Sequence, residues 1–246
     1  MRLLKSANRR LARSFGKTPA RWHSESPVVS ISFDDFPSSA YSNAGKILED
    51  NQARGTYFLS TELINTKYEG VQQCSEKEVE QLVANGHELA AHTHSHVRLQ
   101  NIDLTAVRSE LQDNVARINS AFAVEPSSFA YPFGDVSPSI KQIVRERFSI
   151  GRAITPGLNV GIVDAMHINA FAFYGSSYSR RDLDLLLDAT IEQKAWLVFY
   201  THDVCDDHSP YGCSATQFSS LVRRIRERGV DIQPIASVTK SALSPI

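Results

Sequence analysis

Residues 28–35 read Val-Val-Ser-Ile-Ser-Phe-Asp-Asp, and Pro37, Ser38 and Ser39 follow almost at once. The first six residues are a β-branched, apolar run and predict a short buried strand. Asp34 and Asp35 then sit side by side at its end. Two adjacent carboxylates there repel one another, and burying either charge is costly unless something neutralises it. A divalent cation does so, taking one acid as a ligand and leaving the other as a base. A helix N-cap or a solvated turn is the structural alternative.

Working outward from this strand, extended and helical segments alternate. Tyr41 to Asn51 is helical and Thr56 to Leu59 extended. Ser75 and Glu78 form a capping box that opens a helix ended by Gly86. Glu88 to Ala91 is extended, and Asp103 caps a long helix to about Phe122. Further strands are expected over 128–131, 166–173, 195–201 and 230–235. Helices are expected over 138–147, 179–193 and 214–228. This alternation argues a parallel α/β fold in one domain, either a barrel or an open doubly wound sheet. No Gly-rich phosphate loop accompanies it, so a nucleotide-binding fold has little support.

The 246 residues carry 26 basic and 27 acidic side chains. That balance speaks against a nucleic-acid binder. No apolar run approaches the ~20 residues that span a bilayer. The three cysteines are too few for a disulfide scaffold. Charge is unevenly placed, however. Residues 1–26 hold Arg2, Lys5, Arg9, Arg10, Arg13, Lys17 and Arg21 against Glu25 alone. We therefore expect a basic segment over 1–26, a body over 27–240 and a short tail over 241–246. Leu4, Ala7, Leu11 and Phe15 predict a helix with a thin apolar side. It is read first as a cap on one end of the domain, and second as an anchor for a membrane surface or an acidic partner. The segment lacks the apolar core of a secretory signal, so the cytoplasm, with peripheral membrane contact as an option, is the expected location.

Three more polar groups fall at strand ends, where active sites of parallel α/β folds assemble. His92, His94 and His96 lie within five residues. On a helical turn His92 and His96 share a face; on a strand all three do; either suits a zinc-like ion, and a surface histidine cluster is the structural alternative. Phe129 to Gly134 is an apolar strand closed by a Pro-Phe-Gly turn. Its functional reading is a groove wall with backbone N–H groups near Tyr131. Thr201-His202-Asp203 ends the most apolar run of the chain, Ala195 to Thr201. A histidine leaving such a strand is either a general acid or a satisfied core residue.

In this order the segments resemble the polysaccharide deacetylase family (carbohydrate esterase family 4, the NodB-homology domain). Ser32-Phe33-Asp34-Asp35 resembles its T-F-D-D motif, and Gly86 to His96 its G-H-E-[IL]-x-x-H-[TS]-x-x-H segment. Phe129 to Gly134 is similar to its R-x-P-[YF]-G segment, and Leu197 to His202 to its last strand. The resemblance spans about Val28 to Ile235. It implies a distorted (β/α) barrel with one divalent metal, most often Zn2+. Asp35, His92 and His96 would be the ligands, Asp34 the base and His202 the acid. Tyr131 and Phe133 would border the substrate and the oxyanion. The implied reaction removes an N-acetyl group from an amino sugar in a glycan or glycan precursor.

The chain departs from the family pattern in several places. Ala130 stands where the family's base-orienting arginine is expected, and Arg152 is the candidate replacement. The D-x-x-D-W motif is absent, leaving Asp164 and Asp203 as candidates to orient His202. Phe36 replaces a glycine and is expected to narrow the mouth. His94 is expected outside the ligand set. The loop from Asp203 to Cys213 reads as a lid in which Cys205 and Cys213 either pair or stay thiols, and Cys74 reads as structural. Two further readings use the same residues: a catalytically silent carbohydrate-binding relative, and a metal-dependent hydrolase of a non-sugar amide or ester.

Overall fold

The computed structural model describes residues 2–175 and 177–246. Thirteen strands are assigned among them: β1 (Pro19–Trp22), β2 (Val28–Phe33), β3 (Thr56–Leu59), β4 (Lys67–Tyr68), β5 (Val71–Gln72), β6 (Glu88–Ala91), β7 (Ser128–Ala130), β8 (Ile150–Arg152), β9 (Ile162–Asp164), β10 (Phe171–Ala172), β11 (Trp196–Thr201), β12 (Asp231–Ile232) and β13 (Leu243–Pro245). The α-helices are α1 (Arg2–Ser14), α2 (Lys46–Asp50), α3 (Glu76–Ala84), α4 (Leu104–Phe122), α5 (Pro138–Val144), α6 (Arg180–Glu192), α7 (Ala215–Glu227) and α8 (Ile235–Ala242).

One parallel sheet dominates, in the order β10-β11-β2-β3-β6-β7-β8, with β12 sharing the β3 edge of β2. The central pair is β2 with β11, in register from Val28 opposite Trp196 to Phe33 opposite Thr201. Both strands are buried along their whole length. Alternate side chains serve two layers. Val29, Ile31, Phe33, Leu197 and Phe199 join the core that includes Phe218 and Leu221 of α7. Trp196, Val198 and Phe58 join the other core, with Ala90 and Ala130. Each large apolar side chain so buried contributes roughly 1.5–3 kcal/mol by area. The sheet curls without closing. Between β8 and β10, Ile168 bridges Arg152, and the N–H of Ala153 donates to the Ile168 carbonyl. The result is a distorted half-barrel with helices around it, in a single domain.

The capping signals of α3, α4, α6 and α7 fold as the sequence predicts. Ser75, Ser179 and Ser214 make full capping boxes, and Asp103 caps α4. Two expectations change. Only Ile168 and Phe171–Ala172 pair within the extended stretch expected over 166–173. The strand expected over 230–235 is the two-residue β12, and α8 begins where that strand was expected to end. The N–H groups of Ile235 and Ala236 donate to Thr56 Oγ1 and Glu88 Oε2, so α8 is capped from the starts of β3 and β6. No local pattern announces a cap supplied from so far along the chain.

The ends of the chain are built onto the body. β1 lies between β9 and β13 in a small antiparallel sheet. Trp22 stacks on Trp196 at 6.0 Å. Among its described side chains, α1 is fastened mainly by polar contacts. The ammonium of Lys141, fully buried on α5, donates to the carbonyls of Ala12 (2.9 Å) and Phe15 (3.3 Å) and pairs with Asp164. It thus caps the carbonyl end of α1, where a cation is favoured. Burial pushes the Lys141 ammonium down, and Asp164 opposes this.

Replacing Lys141 with methionine leaves Asp164 without its partner and the end of α1 without its cap. The expected cost is about 3 kcal/mol, the range for breaking one half of a buried pair. Hydrogen exchange of residues 2–22 should accelerate more than that of β2 and β11. Unchanged protection in 2–22 would show that α1 is held by something else.

Candidate active site

The carboxyl ends of β2, β6, β7 and β11 deliver the polar residues to one place. Asp34 and Asp35 leave β2, and the Asp34 N–H donates to the Thr201 carbonyl at 2.9 Å, tying them to the end of β11. His92 leaves β6 and reaches His96 through an irregular loop, neither helix nor strand. α4 holds that loop. Asn114 accepts from the His92 N–H, and the Glu110 carboxylate accepts from Ser95 N and Oγ. His94 turns away to Thr61 Oγ1 at 2.7 Å.

The Nε2 atoms of His92 and His96 lie 3.4 and 2.9 Å from Asp35 Oδ1. One donor atom from each residue falls within 4.8 Å of the others, and all three residues are buried. Asp35 Oδ1 has no hydrogen-bond partner despite these short distances. The three atoms thus converge without lining up as hydrogen bonds, as ligands around a cation do. His92 Nδ1 lies 2.9 Å from the Ala130 carbonyl. A carbonyl only accepts, so the hydrogen sits on Nδ1 and the Nε2 lone pair is free to coordinate. His96 Nδ1 is 3.1 Å from the Tyr68 hydroxyl. An Asp-His-His set of this kind fits a divalent ion and leaves coordination positions open. Burial pushes the Asp35 carboxyl up, but the His92 and His96 ring nitrogens and the charges of His96 and His202 outweigh it. The carboxyl is held well below the usual range.

Asp34 takes a different partner. The guanidinium of Arg152 pairs with Asp34 Oδ1 from β8. Arg152 is fully buried, between the rings of Phe58 (5.1 Å) and Tyr200 (4.8 Å). Arg152 is in register with Ala130 of β7. Side chains opposite one another in neighbouring strands project to the same face. A guanidinium on β8 therefore enters the space that a residue at position 130 faces.

His202 lies with Nε2 4.0 Å from Asp35 Oδ2, between the rings of Tyr174 (6.0 Å) and Tyr211 (5.7 Å). Its Nδ1 has no hydrogen-bond partner among the described residues. Asp203 does not orient it: its carboxylate accepts from Ser209 N and Oγ, both at 2.6 Å, and braces the loop that follows. Asp164, the other candidate, pairs with Lys141. Val204 ties that loop to the one after β2, donating to Ser39 Oγ and accepting from Asn43.

A cavity of 420 Å³ opens over these groups, lined by Asp34, Asp35, His92, His96, Phe133 and His202 among others. Phe133 forms one wall, 4.5 Å from the His96 ring and 3.8 Å beneath the Arg98 guanidinium. The Tyr131 side chain lies elsewhere, in the core, its hydroxyl donating to the Met166 carbonyl. The Tyr131 N–H lies 3.4 Å from the Arg152 carbonyl, a weak contact. Phe36 does not narrow the mouth: it is buried 4.9 Å from Tyr57. Tyr68, Arg98, Tyr174, Tyr211 and Arg9 of α1 also line the cavity and were not singled out as site residues from sequence. They arrive from a hairpin, loops and a terminal helix that carry no strand-end signal.

A family model described as Polysaccharide deacetylase matches residues 23–147. The chain belongs to that family. A curated bifunctional xylanase/deacetylase of Pseudobutyrivibrio xylanivorans is 24% identical over 115 residues, 47% of this chain and 18% of that protein. The chain thus spans less than a fifth of that relative's length. Among solved structures, the Xyl-CE4 domain of a multidomain xylanase from the hindgut metagenome of Trinervitermes trinervoides is 15% identical, with a TM-score of 0.60, over 88% of this chain and 91% of its own. A family 4 acetyl xylan esterase of Clostridium thermocellum, solved with a cobalt ion, is 16% identical, with a TM-score of 0.60, over 87% and 90%. A pseudoenzyme of the same family from Bacillus anthracis is 15% identical, with a TM-score of 0.58, over 88% and 66%. At these identities the structural likeness speaks for the fold. Family membership supports removal of an acyl group from a carbohydrate.

Removing one of the three residues that could hold a metal ion should abolish tight metal binding. His92→Ala and His96→Ala proteins, dialysed against limiting zinc, should retain less than about a tenth of the wild-type metal by elemental analysis. Full occupancy in both would remove them from the ligand set.

Proposed function

We propose that the protein is a metal-dependent hydrolase that removes an N-acetyl group from an amino sugar in a glycan or glycan precursor. One observation carries this reading. A single cavity holds a metal-fitting Asp-His-His set, a carboxylate fixed by a buried guanidinium, and a histidine set among aromatic rings. A divalent ion held by Asp35, His92 and His96, for which two imidazoles and one carboxylate favour Zn2+, supplies Lewis acidity toward water and the acyl oxygen.

The chain's own residues supply the proton transfers. Asp34 accepts a proton from the attacking water, and its oxygen is held for that by Arg152. His202 donates a proton to the departing nitrogen. An amine is a poor leaving group unless protonated as the C–N bond breaks, whereas an alcohol released from an O-acetyl ester needs less help. The proton-donor position of His202 is what favours the amide over the ester. Tyr174 and Tyr211 offer rings along the cavity against which a sugar can stack. The products are acetate and the free amino sugar.

Acetate release from N-acetylated and O-acetylated saccharides, with and without chelator, tests the reading. Release from the amides, lost with chelator and restored by zinc, is expected. Release from the esters alone would replace the amide with the ester, and none from either would leave a silent relative. Asp34→Asn and His202→Gln should each keep the metal and lower turnover by ~100-fold or more. Near wild-type turnover in either variant would remove that residue from the mechanism.

Arg152→Ala should lower kcat by roughly 100-fold while metal content and KM stay near wild type, since the guanidinium acts through Asp34. Restoring the guanidinium across the strand pair, as Ala130→Arg with Arg152→Ala, should recover part of that loss. An unchanged kcat in Arg152→Ala would sink the positioning role.

A further inference from the structure

Among its described side chains, α1 departs from the usual arrangement of a surface helix, which turns its apolar side inward. Its attachments are mainly polar: Arg9 to the Phe133 carbonyl and Asp135, Asn8 to Gln100, and its last carbonyls to Lys141. Among the described residues of α1, Ala12 is the buried apolar side chain. Leu11 and Phe15, one turn apart on the same flank, are instead 45% and 59% exposed. Nearby, Val160 and, on β9, Ile162 border a groove together with Arg13 and Lys17. Ile162 is 65% exposed and lies opposite Arg21, and Ile246 donates its N–H to the Pro19 carbonyl beside them. Among the described residues, five of the nine large exposed apolar ones thus lie on or just beside α1 and the three-stranded sheet.

Unpaired positive charge gathers on the same surface. Arg10, Arg13, Lys17 and Arg21 are exposed, and none makes an ion pair among the described residues. Elsewhere Arg224 and Arg226 of α7 and Arg228 just after it are matched by Asp184, Asp188 and Asp231. Unmatched cations interspersed with exposed leucine, phenylalanine and isoleucine suit a surface that is negative outside and apolar just beneath. A bilayer with anionic headgroups has that profile.

We propose that α1 and the adjoining β1–β9–β13 sheet dock the protein peripherally on an anionic lipid bilayer. Leu11 and Phe15 enter the boundary between headgroups and acyl chains, and Arg10, Arg13, Lys17 and Arg21 meet the headgroups. α1 also supplies Arg9 to the cavity wall. Docking therefore holds the cavity rim near the lipid surface. This inference is independent of the chemistry proposed for the cavity.

The test is co-sedimentation of the full chain with phosphatidylcholine vesicles, with and without about 30% phosphatidylglycerol. Binding is expected to the anionic vesicles alone, weakening steeply as salt rises from about 0.05 to about 0.5 M. Leu11→Ser with Phe15→Ser should lower partitioning by ~10-fold or more, and Arg13→Glu with Lys17→Glu by a similar factor. Phe15→Trp gives a second readout. Trp22 and Trp196 are both buried, so a blue shift of the added emission on anionic vesicles reports insertion. Absent or charge-independent binding, binding unaffected by these substitutions, or no blue shift would overturn the proposal. So would a wild-type dimer that Leu11→Ser with Phe15→Ser converts to monomer, since the stripe would then serve a second copy.

Discussion

Everything at the mouth of the half-barrel answers to two adjacent carboxylates at the end of a fully buried strand. Taking an ion out of water costs several kcal/mol even after relaxation. Asp34 and Asp35 present that cost twice, in consecutive residues. The fold meets it with two different partners, carried by two different segments of the chain. Asp34 receives a guanidinium that crosses from β8. Asp35 receives two imidazoles from the loop after β6. Because the partners differ, so do the two acids. One is fixed by a charge that cannot leave, whereas the other faces groups able to share a cation with it. A difference of this kind is what the proposed roles, Asp34 as base and Asp35 as ligand, call for.

Backbone conformation records the same demand. Asp35, Phe36, Thr93, His96 and Phe133 all have positive φ without being glycine. Such positions cost energy and persist where surrounding contacts over-determine them. Here the contacts are visible: Phe36 is locked against Tyr57, and Phe133 between His96 and Arg98. At Phe36 the aromatic ring buried behind the loop offsets the conformational cost. The side chain therefore belongs to the core and leaves the cavity open. Reading position 36 from sequence as a bulky residue at the mouth missed this, because sequence does not reveal the sign of φ.

What the sequence made legible was local. Apolar runs marked β2 and β11, and serine caps with an acid or glutamine three residues on marked three helices. Polar residues just past strand ends marked Asp34, Asp35, His92, His96 and His202, which the fold brings into one cavity. Non-local features were illegible. β1, β9 and β13 are short, mixed in composition and paired between distant parts of the chain. Tyr68 enters from a two-residue hairpin strand, and Arg9 from a helix more than a hundred residues from Phe133. Asp203 shows the converse error. Adjacency in sequence made it a candidate partner for His202, but consecutive residues at a strand end point apart. Its carboxylate serves Ser209 instead.

Arg152 joins these two kinds of information. A motif fixes an arginine by its place along one segment, and Ala130 at that place reads as a loss. In a parallel sheet, though, the residue paired across the next strand projects to the same face. Ala130 and Arg152 are such a pair. The small residue on β7 also makes the exchange sterically possible, since a second long side chain there would compete with Arg152 for the space between Phe58 and Tyr200. What the site requires is a guanidinium within reach of Asp34. Either strand of the pair can provide it while the other keeps a small side chain.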